Sequence, residues 1–484
     1  MGNPLAYLTL LLWPFVCLWL FRKYTIERAL VWSILGAYLF LPPLTVFDLP
    51  LVPGMDKVTI PNIAVLILLI KLKQQKIEYL PQSMLARWLV IGFVLCAIPT
   101  VLTNTDPIIF EVLGSTGPIT FLVDMLPGQS VRDVGSVLIG QMLTLVPFIV
   151  GRQFLAEEEG LREICLAFMI GALIYSIPSL IEIRLSPQMN VWVYGFFQHD
   201  FEQTMRAGGF RPIVFLPHSL WLAIYVCFGL LSATAIARVT PASERWKSYL
   251  AVGYLFMLLV MCKSLASLIY GVVLVPIVFL APARLQIKLA LAFGVVAVVY
   301  PMLRNLQIIP LDWVLAQANA FDPAREQSLE YRFINETALL ERAAEKPLFG
   351  WGGWGRNLVR HAETGIILSI PDGRWIIVFG TFGWLGYVCE FGLLALPLLL
   401  VWRATRGSIP LPPFIAPLCL ILGITMIDML LNATLTPITW LTAGAILGYA
   451  EQRKAQSVKA IKPIVKTTVL TASDARPKGP RTVL

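Results

Sequence analysis

Residues 212–236 read PIVFLPHSLWLAIYVCFGLLSATAI, a run with no Asp, Glu, Lys or Arg anywhere in it. About 20 such residues form a helix long enough to cross about 30 Å of hydrocarbon. In lipid every backbone N–H and C=O has to be bonded within the protein, which a helix achieves by itself. The run also lacks the strict alternation of a barrel strand. Working outward from it, comparable apolar runs recur at 4–21, 29–46, 57–71, 87–102, 134–151, 163–183, 248–262, 266–282, 287–303, 376–402, 413–431 and 437–450. That makes thirteen expected spans, of which 57–71 and 437–450 are short and 248–282 turns tightly around Lys263. The whole chain of 484 residues is 57% hydrophobic and only 14% charged, with a mean hydropathy of +0.75. A soluble domain carries nearer a quarter charged residues. The expected fold is all-α: a polytopic integral membrane protein of about 12–13 transmembrane helices with one large, partly helical external loop.

Composition excludes several classes. The net charge is +9, but the 38 Lys and Arg residues are scattered over short loops, so no nucleic-acid surface is expected. The seven cysteines (17, 96, 165, 227, 262, 389 and 419) all lie in apolar runs and read as small buried hydrophobes. No Cys-x-x-Cys and no close histidine pair is present, so neither a metal site nor a cofactor is expected. No basic residue precedes the first run, Pro4 to Phe21, which reads as a retained helix and not a cleaved signal.

Lys and Arg placement orients the chain. With Arg22–Arg28 on the cytoplasmic side, the inside segments hold 24 of the 38 cations and the outside segments 14. Eight of those 14 fall between Arg304 and Arg374, a loop too long to obey the rule. The expected organisation is transmembrane helices in 1–303, a large loop in 304–375, C-terminal transmembrane helices in 376–450, and a basic tail in 451–484. The tail is cytoplasmic and Lys-rich with few large apolar residues, which predicts disorder and a weak attraction to anionic lipid.

Three outer segments exceed simple connectors: Thr103–Asp133, the aromatic Arg184–Arg211, and Arg304–Trp375. A loop of the last length calls for a use. Within it Asp322-Pro323 is a helix start, with Asp as cap and Pro at the first helical position. Helix formers run through Glu345, and Pro347 stops them. Then follows Gly350-Trp351-Gly352-Gly353-Trp354-Gly355, whose glycines let backbone approach a ligand or another helix and whose tryptophans suit an interface, a headgroup anchor or a sugar face.

Charged groups at the outer boundary are the chemical signal, because burying them is expensive. Arg206 and Arg211 precede the 212–236 span, Lys263 sits at the turn of an apolar hairpin, and Arg332 lies on the loop helix. Asp372 and Arg374 stand just before the next span, with Glu390 and Asp428 inside or near later ones. Several cations beside one or two carboxylates suggest a site for a lipid-linked diphosphate: guanidinium groups fork onto phosphate oxygens and Lys acts as a point charge. Asp372 is the candidate base that takes a proton from an attacking sugar hydroxyl. Arg206, Arg211, Lys263 and Arg332 are the candidate diphosphate ligands. Arg374, His218, Glu390 and Asp428 are supporting candidates. Blander roles compete for each: a snorkelling anchor for any one arginine, a helix cap for Asp372, a packed neutral imidazole for His218, and interhelical bonding for Glu390 and Asp428. His199 and His361 have no readable partner.

Four stretches resemble the O-antigen ligase and polymerase superfamily of bacterial membrane glycosyltransferases. They are Arg206-x-x-Gly209-x-x-Pro212; the turn Lys263-Ser264, where that family usually has Ser-Arg; Ser328-Leu-Glu-Tyr-Arg332 followed by Lys346-Pro-Leu-Phe-Gly-Trp-Gly352; and Trp384-Leu-Gly-Tyr-Val-Cys-Glu390-Phe-Gly. The resemblance covers residues 200 to 400. It implies an inverting, metal-independent glycosyltransferase of the bacterial inner membrane, with the large loop periplasmic and the C-terminus cytoplasmic. Its substrate would be an undecaprenyl-diphosphate-linked oligosaccharide, the diphosphate being held by Arg206 and Lys263 with Arg332 added from the loop. Membrane lipids and a chain-length regulator are the further candidate partners. The family's ligases carry His-Asn ahead of the closing helix where this chain has Asp372-Gly373, which speaks against ligation to lipid A and leaves polymerisation of a surface polysaccharide open. The alternatives are a lipid-linked oligosaccharide flippase or transporter, for which the chain shows no internal repeat, and a scaffold for an envelope complex.

Overall fold

The computed structural model describes residues 2–48, 53–113, 120–206, 208–405 and 410–468. The helices, in chain order, are α1 (Pro4–Lys23), α2 (Ile26–Phe40), α3 (Thr59–Ile67, continued by a π-turn over Leu68–Leu72), α4 (Met84–Leu95), α5 (Ala97–Leu102), α6 (Val131–Phe154), α7 (Glu158–Leu185), α8 (Met189–Tyr194), α9 (Ser219–Val239), α10 (Arg245–Met261), α11 (Leu265–Leu280), α12 (Ala283–Asn305), α13 (Leu311–Phe321), α14 (Pro323–Ala344), α15 (Arg374–Ala404), α16 (Ile415–Asp428) and α17 (Pro437–Thr468). Every one of the thirteen expected runs carries a helix. By length and composition seven helical stretches are apolar enough to cross a membrane: α1, α4 with α5, α6, α7, α9, α12 and α15. Three shorter apolar helices, α3 with its π-turn, α11 and α16, pack among them.

The 212–236 run supplies the centre of the bundle, although the helix begins at Ser219 and not at Pro212. Of its most apolar stretch, 83% is buried, against 28% for α1 at the periphery. Helices α7, α10 and α11 surround α9. The closest pair, α6 and α17, meets over Gly151 and Gly444: a methyl on Gly444 would lie 2.1 Å from the Phe148 carbonyl oxygen. Small residues of this kind let two helices approach backbone to backbone.

Three features depart from the sequence reading. The chain is not purely helical: β1 (Ile108–Leu113) pairs antiparallel with β2 (Thr120–Leu126), and a two-residue ladder joins β3 (Met205–Arg206) to β4 (Gly209–Phe210). Both lie in the outer segments whose mixed composition carried no helical period. The expected span 376–402 is also not one helix. Gly383, at φ 63° and ψ −162°, breaks α15, and Arg374 pairs with Glu390 across the break at 2.6 Å. On a straight helix those two residues stand about 24 Å apart along the axis, so the first two turns of α15 fold back on the remainder. Lastly, α17 continues to Thr468; the rest of the tail expected after residue 450 lies outside the described residues.

In the long loop, Asp322 caps α14 by accepting from the Ala324 N–H, with Pro323 in the first turn. Arg304 Nε donates to Glu336 Oε1 at 2.7 Å and the Tyr300 hydroxyl donates to the same oxygen at 3.1 Å, which docks α14 on α12.

Candidate functional site

The loop helix α14, the start of α15 and the end of α16 meet at a cleft open to solvent. It is lined by Arg332, Glu336 and Leu339 of α14, by Ile370, Asp372 and Gly373 ahead of α15, by Ile376, and by Leu430 and Leu431 beyond α16. Backbone fixes its floor: Arg374 N–H donates to Met429 O at 2.9 Å, and a methyl on Gly373 would lie 2.4 Å from Leu430 O.

Asp372 faces Arg332, Oδ2 to Nε 3.5 Å, an ion pair in which the carboxylate side chain keeps 35% exposure. Burial raises the Asp372 carboxyl above the ordinary aspartate value, and Arg332 pulls against that rise. Asp372 is therefore a carboxylate of raised basicity with open access to the cleft. The sequence reading passed over Glu336, which also lines it and whose carboxyl burial likewise raises. Its spacing of four from Arg332 on a helix would have shown that the two share a face. Glu336 is committed to Arg304 and Tyr300, which leaves Asp372 as the carboxylate available to a ligand.

The cations come from separate parts of the chain. Arg211 is 5% exposed, and among the described residues its guanidinium forms no ion pair; its buried Nε has no hydrogen-bond partner. Burial lowers it to about 10, and the charges of Arg206, Arg332 and Arg325 push in the same direction, with only Cys262 opposing. Three guanidinium groups thus lie within electrostatic reach of Arg211, which is buried and, among the described residues, has no counter-ion. Arg325, which the sequence reading did not single out, is one of the three.

Lys263 takes a different place. At φ 52° its backbone turns the α10–α11 hairpin, and its ammonium donates to the Arg206 carbonyl at 2.9 Å. It props the β3–β4 turn that carries Arg206. His218 caps α9, its Nδ1 accepting from Leu220 N–H at 2.9 Å, so a neutral ring carries its proton on Nε2. The ring lies 4.4 Å from that of His199, centroid to centroid, and within electrostatic reach of Arg211 and Arg332.

The remaining supporting candidates are satisfied internally. Arg374 grips Glu390 in a two-pronged pair at 2.7 and 2.6 Å. Asp428 accepts from the Thr434 hydroxyl at 2.7 Å and from the Asn432 amide at 3.1 Å, within electrostatic reach of Arg332. The Gly-Trp stretch approaches a helix. Trp351 N–H donates to Gly380 O and Gly352 N–H to Thr381 O, both at 2.9 Å, while Trp384 N–H donates back to Pro347 O at 2.8 Å. The loop backbone thereby satisfies the groups that the break in α15 frees. The Trp351 face is covered by Arg342, 3.4 Å from the ring centroid, so among these tryptophans it is Trp354 that remains exposed.

Among the described residues no group of three or more His, Cys, Asp or Glu side chains is arranged to hold a metal ion. Set against known proteins, the chain matches no protein-family model and no curated sequence.

Proposed function

We propose that this chain is a membrane glycosyltransferase that polymerises or ligates a surface polysaccharide from an undecaprenyl-diphosphate-linked donor. The observation that carries this is the buried Arg211 guanidinium, unpaired among the described residues and within electrostatic reach of Arg206, Arg325 and Arg332, the last of which lines the cleft that holds Asp372. An uncompensated buried cation is costly, and a dianionic diphosphate is the counter-charge that such a cluster suits, since guanidinium groups bind phosphate oxygens in a forked geometry. The four stretches that resemble the O-antigen ligase and polymerase superfamily support the same reading.

In the step we envisage, a hydroxyl oxygen of the acceptor sugar forms a bond to the anomeric carbon of the donor. The bond from that carbon to the diphosphate oxygen breaks, its electron pair leaves with the diphosphate, and the hydroxyl proton passes to Asp372. Inversion follows from a single displacement. The arginines stabilise the charge that grows on the leaving group, which is the main catalytic term available to preorganised cations. The working end of the bundle is then the periplasmic end, in a bacterial inner membrane.

The transporter alternative draws on one observation, the broken helix α15, because discontinuous helices in transporters aim their free ends at a substrate. Here those ends are bonded by residues 347–352, which favours the transferase.

The test is elongation of lipid-linked repeat units by full-length protein in nanodiscs. The variants are Arg206→Gln, Arg211→Gln, Arg332→Gln and Asp372→Asn. Loss of polymer in Arg211→Gln and Asp372→Asn is expected. Normal elongation by all four would refute the mechanism, and movement of the donor across a vesicle without covalent change would favour transport.

A further inference from the structure

Resting on that reading, we infer that Glu182 is a positioning residue: with Tyr175, Gln198 and Lys57 it clamps the backbone of residues 213–216 and so sets where Arg211 and His218 stand. The segment between those two residues is irregular, and Val214 within it is held at φ 53°, a left-handed conformation that a β-branched residue adopts only when its surroundings impose it. Those surroundings are specific. Glu182, at the C-terminal end of α7 and 0% exposed, accepts from Ile213 N–H at 2.7 Å and from Val214 N–H at 2.8 Å, both on Oε2. Its Oε1 accepts from Met189 N–H at 2.9 Å. The Tyr175 hydroxyl accepts from Phe215 N–H at 3.0 Å and donates to Leu39 O at 2.9 Å. The Gln198 amide donates to Val214 O and Leu216 O at 2.9 and 3.1 Å. Lys57 Nζ donates to Phe215 O at 3.1 Å.

All three N–H groups of residues 213–215 and the carbonyls of 214–216 therefore end on four buried side chains from three separate places in the chain: Lys57, α7 and Gln198. Arg211 is fixed at the other side by its own N–H, bonded to Thr204 O at 2.8 Å. A carboxylate that takes two adjacent N–H groups defines the direction of the chain through that turn, which a single hydrogen bond does not. Glu182 touches neither the cleft nor the arginines, so its effect on them passes through the backbone.

The experiment measures inorganic pyrophosphate binding by calorimetry, with thermal unfolding recorded in parallel, on full-length protein in nanodiscs. In Glu182→Gln one carboxylate oxygen becomes an amide donor facing N–H donors. The expected result is a lowered unfolding temperature, because a buried N–H loses its acceptor, with pyrophosphate Kd raised about tenfold in the protein that remains folded. Gln198→Ala and Tyr175→Phe, each removing one side of the clamp, are expected to raise Kd in the same direction and carry the test if Glu182→Gln does not fold. Unchanged pyrophosphate affinity in folded clamp variants, with Arg211→Gln losing it, would overturn the positioning role and leave the anion site standing. Unchanged affinity in Arg211→Gln would overturn the anion site itself and the inference with it.

Discussion

Replacing Gly383 with alanine tests the architecture on which the cleft depends. Gly383 sits at φ 63°, ψ −162°, a region open essentially to glycine alone, and holding another residue there costs about 1–3 kcal/mol. A methyl group there would also stand 2.4 Å from the Leu348 carbonyl carbon, so the 347–352 segment has to retreat. That segment makes four backbone hydrogen bonds to the break, two to the N–H groups of Trp384 and Leu385 and two from Trp351 and Gly352, at 2.8 to 3.2 Å. Losing two of them adds about 0.5–1.5 kcal/mol each. The sum is about 2–6 kcal/mol, read as a fall in apparent Tm on the order of 5–10 °C for protein in detergent or nanodiscs. Elongation activity should fall further than stability, because Asp372 precedes the displaced half-helix. Gly253→Ala in α10 is the control: nothing lies within 4 Å of its added methyl, and glycine to alanine in a helix interior is neutral or stabilising by up to about 1 kcal/mol. If Gly383→Ala melts with Gly253→Ala, the broken helix is not a structural requirement.

Asp372→Asn is expected to cut turnover about 100-fold or more while the donor still binds; an equal loss in binding would assign Asp372 to substrate grip. Asp372 acts deprotonated and its carboxyl is raised by burial, so activity should climb with pH through a value above the ordinary aspartate range. Arg332 opposes that rise, so the acid limb in Arg332→Gln should move to higher pH, and a downward move in the pH–rate profile would contradict the pairing. Glu390→Gln, which strands Arg374, should destabilise by about 3–5 kcal/mol, whereas joint replacement of Arg374 and Glu390 by methionine should cost much less; equal melting losses would mean that the pair has no separate weight.

What the sequence revealed was local. The run at 212–236 and the twelve like it needed only a hydropathy pattern, and the cap at Asp322-Pro323 needed only its own neighbours. The break at Gly383 was hidden because Trp375 to Val401 reads as one apolar run, and a glycine's φ is not written in hydropathy. The role of the Gly-Trp stretch stayed ambiguous for the same reason: its glycines announce a close approach without naming the partner, here Thr381 and Gly380. Charge type alone did not separate Lys263, whose ammonium supports the Arg206 carbonyl, from Arg211, whose guanidinium forms no ion pair among the described residues. Glu182 went unread because its partners are backbone N–H groups, of Met189 nearby and of Ile213 and Val214 some thirty residues away, and such partners leave no trace in side-chain pattern.

The seam between residues 347–352 and the broken α15 joins main chain to main chain. Such a seam is indifferent to most of the side chains that decorate it. In a lineage descended from this chain, Leu348, Phe349 and Thr381 are free to drift among residues of similar size. Gly350 and Gly383 are not, because each lies under 2.6 Å, measured from an added methyl, from the opposing backbone. Two glycines would thus outlast the aromatic residues beside them, and a search keyed to that pair would find distant relatives that a search keyed to the tryptophans would miss.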